Sequence, residues 1–151
     1  MDLYAGNIKA LRTRYPDLCA SLEMRAADGS LAVAPSRSGV PTLTKNGRLV
    51  HSSYDPRAEA ESLIDTQVPP DRSNVIVFGF GLGYHVCAAA RRRESFGKIF
   101  VIEPDMAMFK AALETVDLTE ILEDSRVSFF VGVSQDAVYE FLTNKIPAGI
   151  S

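Results

Sequence analysis

Three glycines at alternate positions, Gly79, Gly81 and Gly83, restrict this chain more than any other feature. Before them stands an apolar run, Val75 to Phe78, and after them an alanine-rich segment that ends in Arg91, Arg92 and Arg93. A continuous apolar run bounded by glycine reads as a strand buried on both faces, as in a parallel sheet. Glycine permits the positive φ angles and close backbone approach of a tight strand-to-helix turn. Arginines in a last turn suit the negative end of a helix dipole. The stretch therefore predicts strand, glycine turn and helix, with Val75–Phe78 as the strand.

The pattern then repeats. Lys98 to Ile102 reads as a second buried strand that ends at Glu103-Pro104-Asp105. Asp105 is placed to cap a helix whose buried face is Met106, Phe109, Leu113 and Val116. Leu118 to Glu123 reads as a short helical turn and Val127 to Val131 as a third strand. Ser134 can cap a last helix carrying Val138, Phe141 and Leu142. Strand alternating with helix at this spacing predicts an α/β unit with a parallel sheet. Three strands make half of a doubly wound sheet and leave an open edge, which the hairpin, a partner chain or further sequence must cover.

Upstream, Ile8, Leu11, Tyr15, Leu18 and Leu22 recur at helical spacing, with Asn7 as the expected cap and Pro16 starting a second short helix. Residues 26–39 carry turn and loop signals. Asn46-Gly47 joins two strand-like runs, 40–45 and 48–52, and such a pair is the strongest short-range hairpin signal. Asp55 and Pro56 open a helix running to about Asp65. The proline-bearing connection 67–73 predicts a boundary between residues 1–69, holding the N-terminal helices, hairpin and helix, and the α/β domain 70–151. The chain stops soon after a helix, which suggests a fragment cut between supersecondary units.

Composition removes several classes of function. A net charge of −3 gives no electrostatic footprint for nucleic acid. No apolar run approaches the ~20 residues of a membrane helix, and the N-terminus has no secretory pattern, so the expected location is the cytoplasm. Cys19, Cys87, His51 and His85 are the whole complement of both residue types, too few for a metal cluster of cysteine and histidine. Both thiols read as small packing groups. Asp55 and Asp105 are explained as caps and Asp124 as a loop residue, so no metal site is expected. His51 falls at the hairpin edge and His85 on a helix surface. Arg91 to Arg93 read as a solvated helix end, with an acidic protein surface as the alternative partner.

The glycine turn is the candidate binding site. In open α/β sheets ligands bind beyond the carboxyl ends of the strands, where a helix N-terminus offers free N–H groups. Gly79, Phe80, Gly81, Leu82, Gly83 and Tyr84 form the expected site. Glu103 joins them, about 20 residues past the last glycine, where a ribose-binding carboxylate is found in dinucleotide-binding folds. The competing reading is a purely structural tight turn, with Tyr84 filling the packing instead of stacking on a base. The dinucleotide fingerprint wants a third glycine where Tyr84 stands. The alternating pattern instead resembles the first motif of S-adenosylmethionine-dependent methyltransferases, although Val77 occupies the position where that family usually has an acid.

Read together, Pro41 to Pro56 with its Asn46-Gly47 turn, then Glu59 and Glu61, then Phe78 to His85, then Val101 to Asp105, resemble the N-terminal region of the motility accessory factors. The resemblance covers most of residues 7–133. It implies a Rossmann-like, methyltransferase-like half sheet of parallel strands, preceded by N-terminal helices and a β-hairpin. It further implies a bacterial protein of flagellin glycosylation, whose pterin-diphosphokinase-like, sialyltransferase-like domain lies downstream. On that reading the chain is a non-catalytic or nucleotide-binding domain with no complete catalytic set of its own, and the whole protein is a glycosyltransferase before it is a methyltransferase. The ligands so implied are S-adenosylmethionine or a sugar nucleotide; the implied partners are flagellin or a second copy. The alternatives are a methyltransferase fragment and a docking or dimerisation module without ligand.

Overall fold

The computed structural model describes residues 2–68, 74–92 and 97–145. Pro69 to Ser73, most of the expected boundary, lie outside the described residues, as do Arg93 and the chain's end from residue 146. The chain opens with helices α1 (Leu3–Arg12) and α2 (Pro16–Glu23). An antiparallel sheet follows, made of β1 (Leu31–Pro35), β2 (Pro41–Lys45) and β3 (Arg48–Leu49), in that order across the sheet. Helix α3 (Pro56–Gln67) leads to the α/β part. There β4 (Asn74–Phe78), β5 (Lys98–Glu103) and β6 (Val127–Val131) form a parallel sheet with β5 in the middle. They alternate with α4 (Tyr84–Arg91), α5 (Met106–Thr115), the short α6 (Thr119–Leu122) and α7 (Gln135–Lys145). This is the expected α/β architecture. No helix among the described residues is long and apolar enough to cross a membrane.

Local chemistry accounts for most boundaries. Asn46 and Gly47 take φ of 52° and 79°, as a two-residue hairpin turn requires. Asp55 accepts from the Ala58 amide at 3.1 Å and Asp105 from Ala107 and Met108 at 3.0 and 3.3 Å, each capping its helix as expected. Ser134 Oγ accepts from the Ala137 amide at 3.1 Å and caps α7. Pro16 opens α2.

Three expectations are corrected. Asn7 does not cap α1; Asp2 does, and α1 begins earlier. Asn7 is instead buried inside α1, where its Nδ2 donates to the carbonyls of Leu113 and Val116 at 2.8 and 2.7 Å. Its Oδ1 accepts the Leu118 amide at 2.9 Å, so one amide side chain satisfies backbone groups at the α5–α6 junction. Residues 26–39 are not all loop, because Leu31–Pro35 pairs with β2 along its whole length. Its mostly small, exposed side chains give no burial period for the sequence to display. Arg92 is not solvated: it donates to the carbonyls of Ile64 and Val68 at 2.8 and 3.2 Å, closing the C-terminal end of α3.

The core joins the parallel sheet to α1, α2, α4, α5 and α6, and takes in Ala60 and Ile64 of α3 and Leu43 of β2. Phe80, Phe109 and Phe129 meet there with ring centroids 5.0–5.9 Å apart; both contacts of Phe129 are edge-on and the Phe80–Phe109 pair is tilted. Phe80 comes from the glycine turn itself, so the turn is nailed into the core from below.

Candidate functional site

The turn between β4 and α4 alternates for a physical reason. Phe80, Leu82 and Tyr84 are buried, with Phe80 and Leu82 all but inaccessible. Gly79, Gly81 and Gly83 fall between them, with φ of 86°, 56° and 88°. Two of the glycines are also places where no side chain fits. A Cβ on Gly81 would run into His51, and one on Gly83 would lie 2.8 Å from both Leu118 and Phe80. Gly79 has open space around it and needs only its backbone angle.

The amides of Gly79, Phe80, Leu82 and Gly83 donate to protein groups. The Gly79 amide donates to the Ile102 carbonyl at 2.8 Å and continues the ladder to β5. The Phe80 amide donates to Glu103 Oε1 at 2.9 Å, and the Asp105 amide donates to Glu103 Oε2 at 3.0 Å. Glu103 is buried at the end of β5 and ties the turn to the start of α5. The Leu82 amide donates to His51 Nε2 at 2.8 Å, and the Gly83 amide to the Phe80 carbonyl at 2.9 Å. Tyr84 packs in the core, and its hydroxyl donates to the Pro41 carbonyl at 2.6 Å. The structure thus brings all seven expected residues, 79–84 and Glu103, to one place.

It also adds residues that the sequence reading did not include in the site. His51 follows the hairpin and sits over Gly81, buried at 4% exposure. Because Nε2 accepts, the ring proton resides on Nδ1, which is buried without a hydrogen-bond partner among the described residues. Burial, with a smaller push from His85, lowers the His51 pKa to about 4, so the ring is neutral at ordinary pH. His85 stacks on it at a centroid distance of 5.8 Å, and Tyr84 meets it edge-on at 5.1 Å. Lys45, at the end of β2, reaches Asp105 Oδ2 at 2.6 Å. Burial works to raise the Asp105 carboxyl, but Lys45 and the amides of Met108 and Ala107 hold it below its ordinary range. Pro41, Lys45 and His51 therefore clamp the hairpin across the turn. The signal for this was the hairpin's position just ahead of the turn; its partners were invisible in one dimension.

Beside the turn lies an open cavity of about 560 Å³, bounded by the β4 edge, Leu63 of α3 and Val68 just past its end, Val50, His85 and Glu103. Cys87, one turn into α4, has its thiol pushed up to about 11 by burial, which leaves it protonated and unreactive near neutrality. Among the described residues no group of histidines, cysteines and carboxylates could hold a metal ion.

Residues 47–148, from the hairpin turn through the glycine turn and the whole parallel sheet, match the glycosyltransferase Maf N-terminal domain. The chain belongs to that family. It is the family that the hairpin and glycine-turn residues resemble. A Treponema pallidum (strain Nichols) protein described only as uncharacterized is 27% identical over 148 residues, 92% of this chain and 50% of that protein. A second uncharacterized protein of that organism is 35% identical over 69 residues, 44% of this chain and 77% of its own length. Among solved structures, that of the MAf glycosyltransferase from Magnetospirillum magneticum AMB-1 superposes with a TM-score of 0.69 at 15% identity. It covers 94% of this chain and 29% of that one. That likeness is one of fold. This Maf N-terminal domain spans about half the length of the first relative and under a third of the solved chain.

Proposed function

We propose that this Maf N-terminal domain is a non-catalytic module of a flagellin-glycosylating protein, in which the glycine turn is a clamp seat and not a nucleotide cradle. One observation carries the reading: the Phe80 and Leu82 amides are already spent on Glu103 and His51, at 2.9 and 2.8 Å. A turn that binds phosphate or a cofactor's carboxylate keeps such amides for its ligand. Val77, apolar and in the strand, offers nothing to the amino-acid end of S-adenosylmethionine. Glu103 is buried with a backbone amide on each oxygen, which engages it in the fold, and with no acid at Val77 the residues present do not fit that cofactor. The transferase chemistry of the whole protein then belongs to polypeptide outside this domain.

Calorimetric titration tests this with S-adenosylhomocysteine and, separately, a cytidine-monophosphate sugar. No saturable heat is expected from either with the folded protein. Saturable binding of one of them, abolished by Glu103→Ala and by Gly81→Val, would replace the clamp reading with a nucleotide site.

A further inference from the structure

The order of the parallel sheet states where its next strand belongs. From β6 to β4 the strands run third, second, first in chain order, which is the opening half of a doubly wound sheet. In that arrangement the fourth strand pairs with the first, on the side away from the second. That side of β4 carries no strand among the described residues.

The free edge is built to receive one. The Gly79 amide points at β5, and backbone groups alternate along a strand, so the amides of Val75 and Val77 also face β5. The amides of Ile76 and Phe78 then face outward. Every residue from Val75 to Gly79 lines the 560 Å³ cavity, so the cavity runs along the strand and not only across its end. Its walls hold apolar side chains that are unusually open: Val50 at 36%, Leu63 at 37% and Phe78 at 71% exposure. Strands of parallel sheets are ordinarily buried on both faces. At about 3.3 Å per residue, β4 offers roughly 17 Å of unpaired edge.

We infer that this edge takes up a parallel, β-branched strand from the polypeptide that longer family members carry outside the matched region. The alignments with the first relative and with the solved chain cover 50% and 29% of those proteins, so both have the length to supply it. Parallel pairing needs a crossover of a dozen or more residues, usually helical, and α7 follows β6 as such an element. The inference rests on the family assignment and is independent of whether the turn binds a nucleotide.

Hydrogen exchange tests it, comparing the 151-residue chain with the full product of its own gene. The Ile76 and Phe78 amides are expected to exchange fast in the former and about 100-fold more slowly in the latter, with Val75 and Val77 protected in both. Phe78→Pro removes an outward donor and leaves the ladder to β5 intact; it should return Ile76 to fast exchange in the full product. Phe78→Lys, a charge on the same edge, serves if the proline variant does not fold. Equal, fast rates in both polypeptides overturn the inference. So does a gene that encodes no further strand, or concentration-dependent protection in the 151-residue chain, which would put a second copy on the edge.

Discussion

His51 is a buried acceptor that must stay neutral. Its pKa in the fold is about 4 against an ordinary 6.5, so below 6.5 the unfolded chain takes up the proton first. The stability this ring contributes is complete above 6.5 and falls as the pH drops from there toward 4. At 1.36 kcal/mol per pKa unit the loss amounts to about 3 kcal/mol. Urea titrations at pH 7, 5.5 and 4 should show it, and His51→Gln should flatten the profile over that range. Gly81→Ala combines a positive φ with a collision against His51 and is expected to cost about 2–3 kcal/mol. Gly79→Ala, with open space around its Cβ, should cost about 1 kcal/mol. Equal losses at the two positions would mean that the hairpin does not press on the turn. Asn7→Ala strips partners from three buried backbone groups and should cost about 3 kcal/mol, read from the denaturation midpoint.

At the scale of elements, the hairpin is held to the α/β part by side chains of unequal weight. Lys45→Ala removes a partly exposed ion pair and should cost only about 0.5 kcal/mol, less at high salt. Asp105→Ala removes the same pair together with the cap of α5, and about 1–2 kcal/mol is expected. A chemical-denaturation comparison of the two variants separates the pair from the cap. Elements with local causes were legible in the sequence. Asp55, Asp105 and Ser134 act within three residues of themselves, and Asn46-Gly47 needs only its own backbone angles. What was not legible acts at a distance. Asn7 is a standard capping residue by type, yet its partners lie more than 100 residues away. The sheet pairing of β1 depends on β2, since Leu31 to Pro35 have no alternating pattern of their own. The seven turn residues were found because glycine spacing and strand ends are local; His51, 31 residues ahead of Leu82, was not placed with them.

Across the whole molecule, α1 and α2 belong to the same core as the parallel sheet. Leu11 and Leu22 are fully buried beside residues of α5 and α6. A chain without residues 2–13 loses that cover and the Asn7 bridge, and its thermal transition is expected to broaden and fall; calorimetry reads both. The bridge also has a bearing on synthesis. Helix α1 leaves the ribosome well before its seat, because the carbonyls and amide that Asn7 satisfies lie at Leu113, Val116 and Leu118. At translation rates of about 5–20 residues per second, α1 waits on the order of 10 s for its seat to exist. During that interval its apolar face, Ile8 and Leu11, stays uncovered by α5 and α6. Helix α1 is thus made well ahead of its seat, and the nascent chain carries an open apolar face until α5 and α6 have emerged.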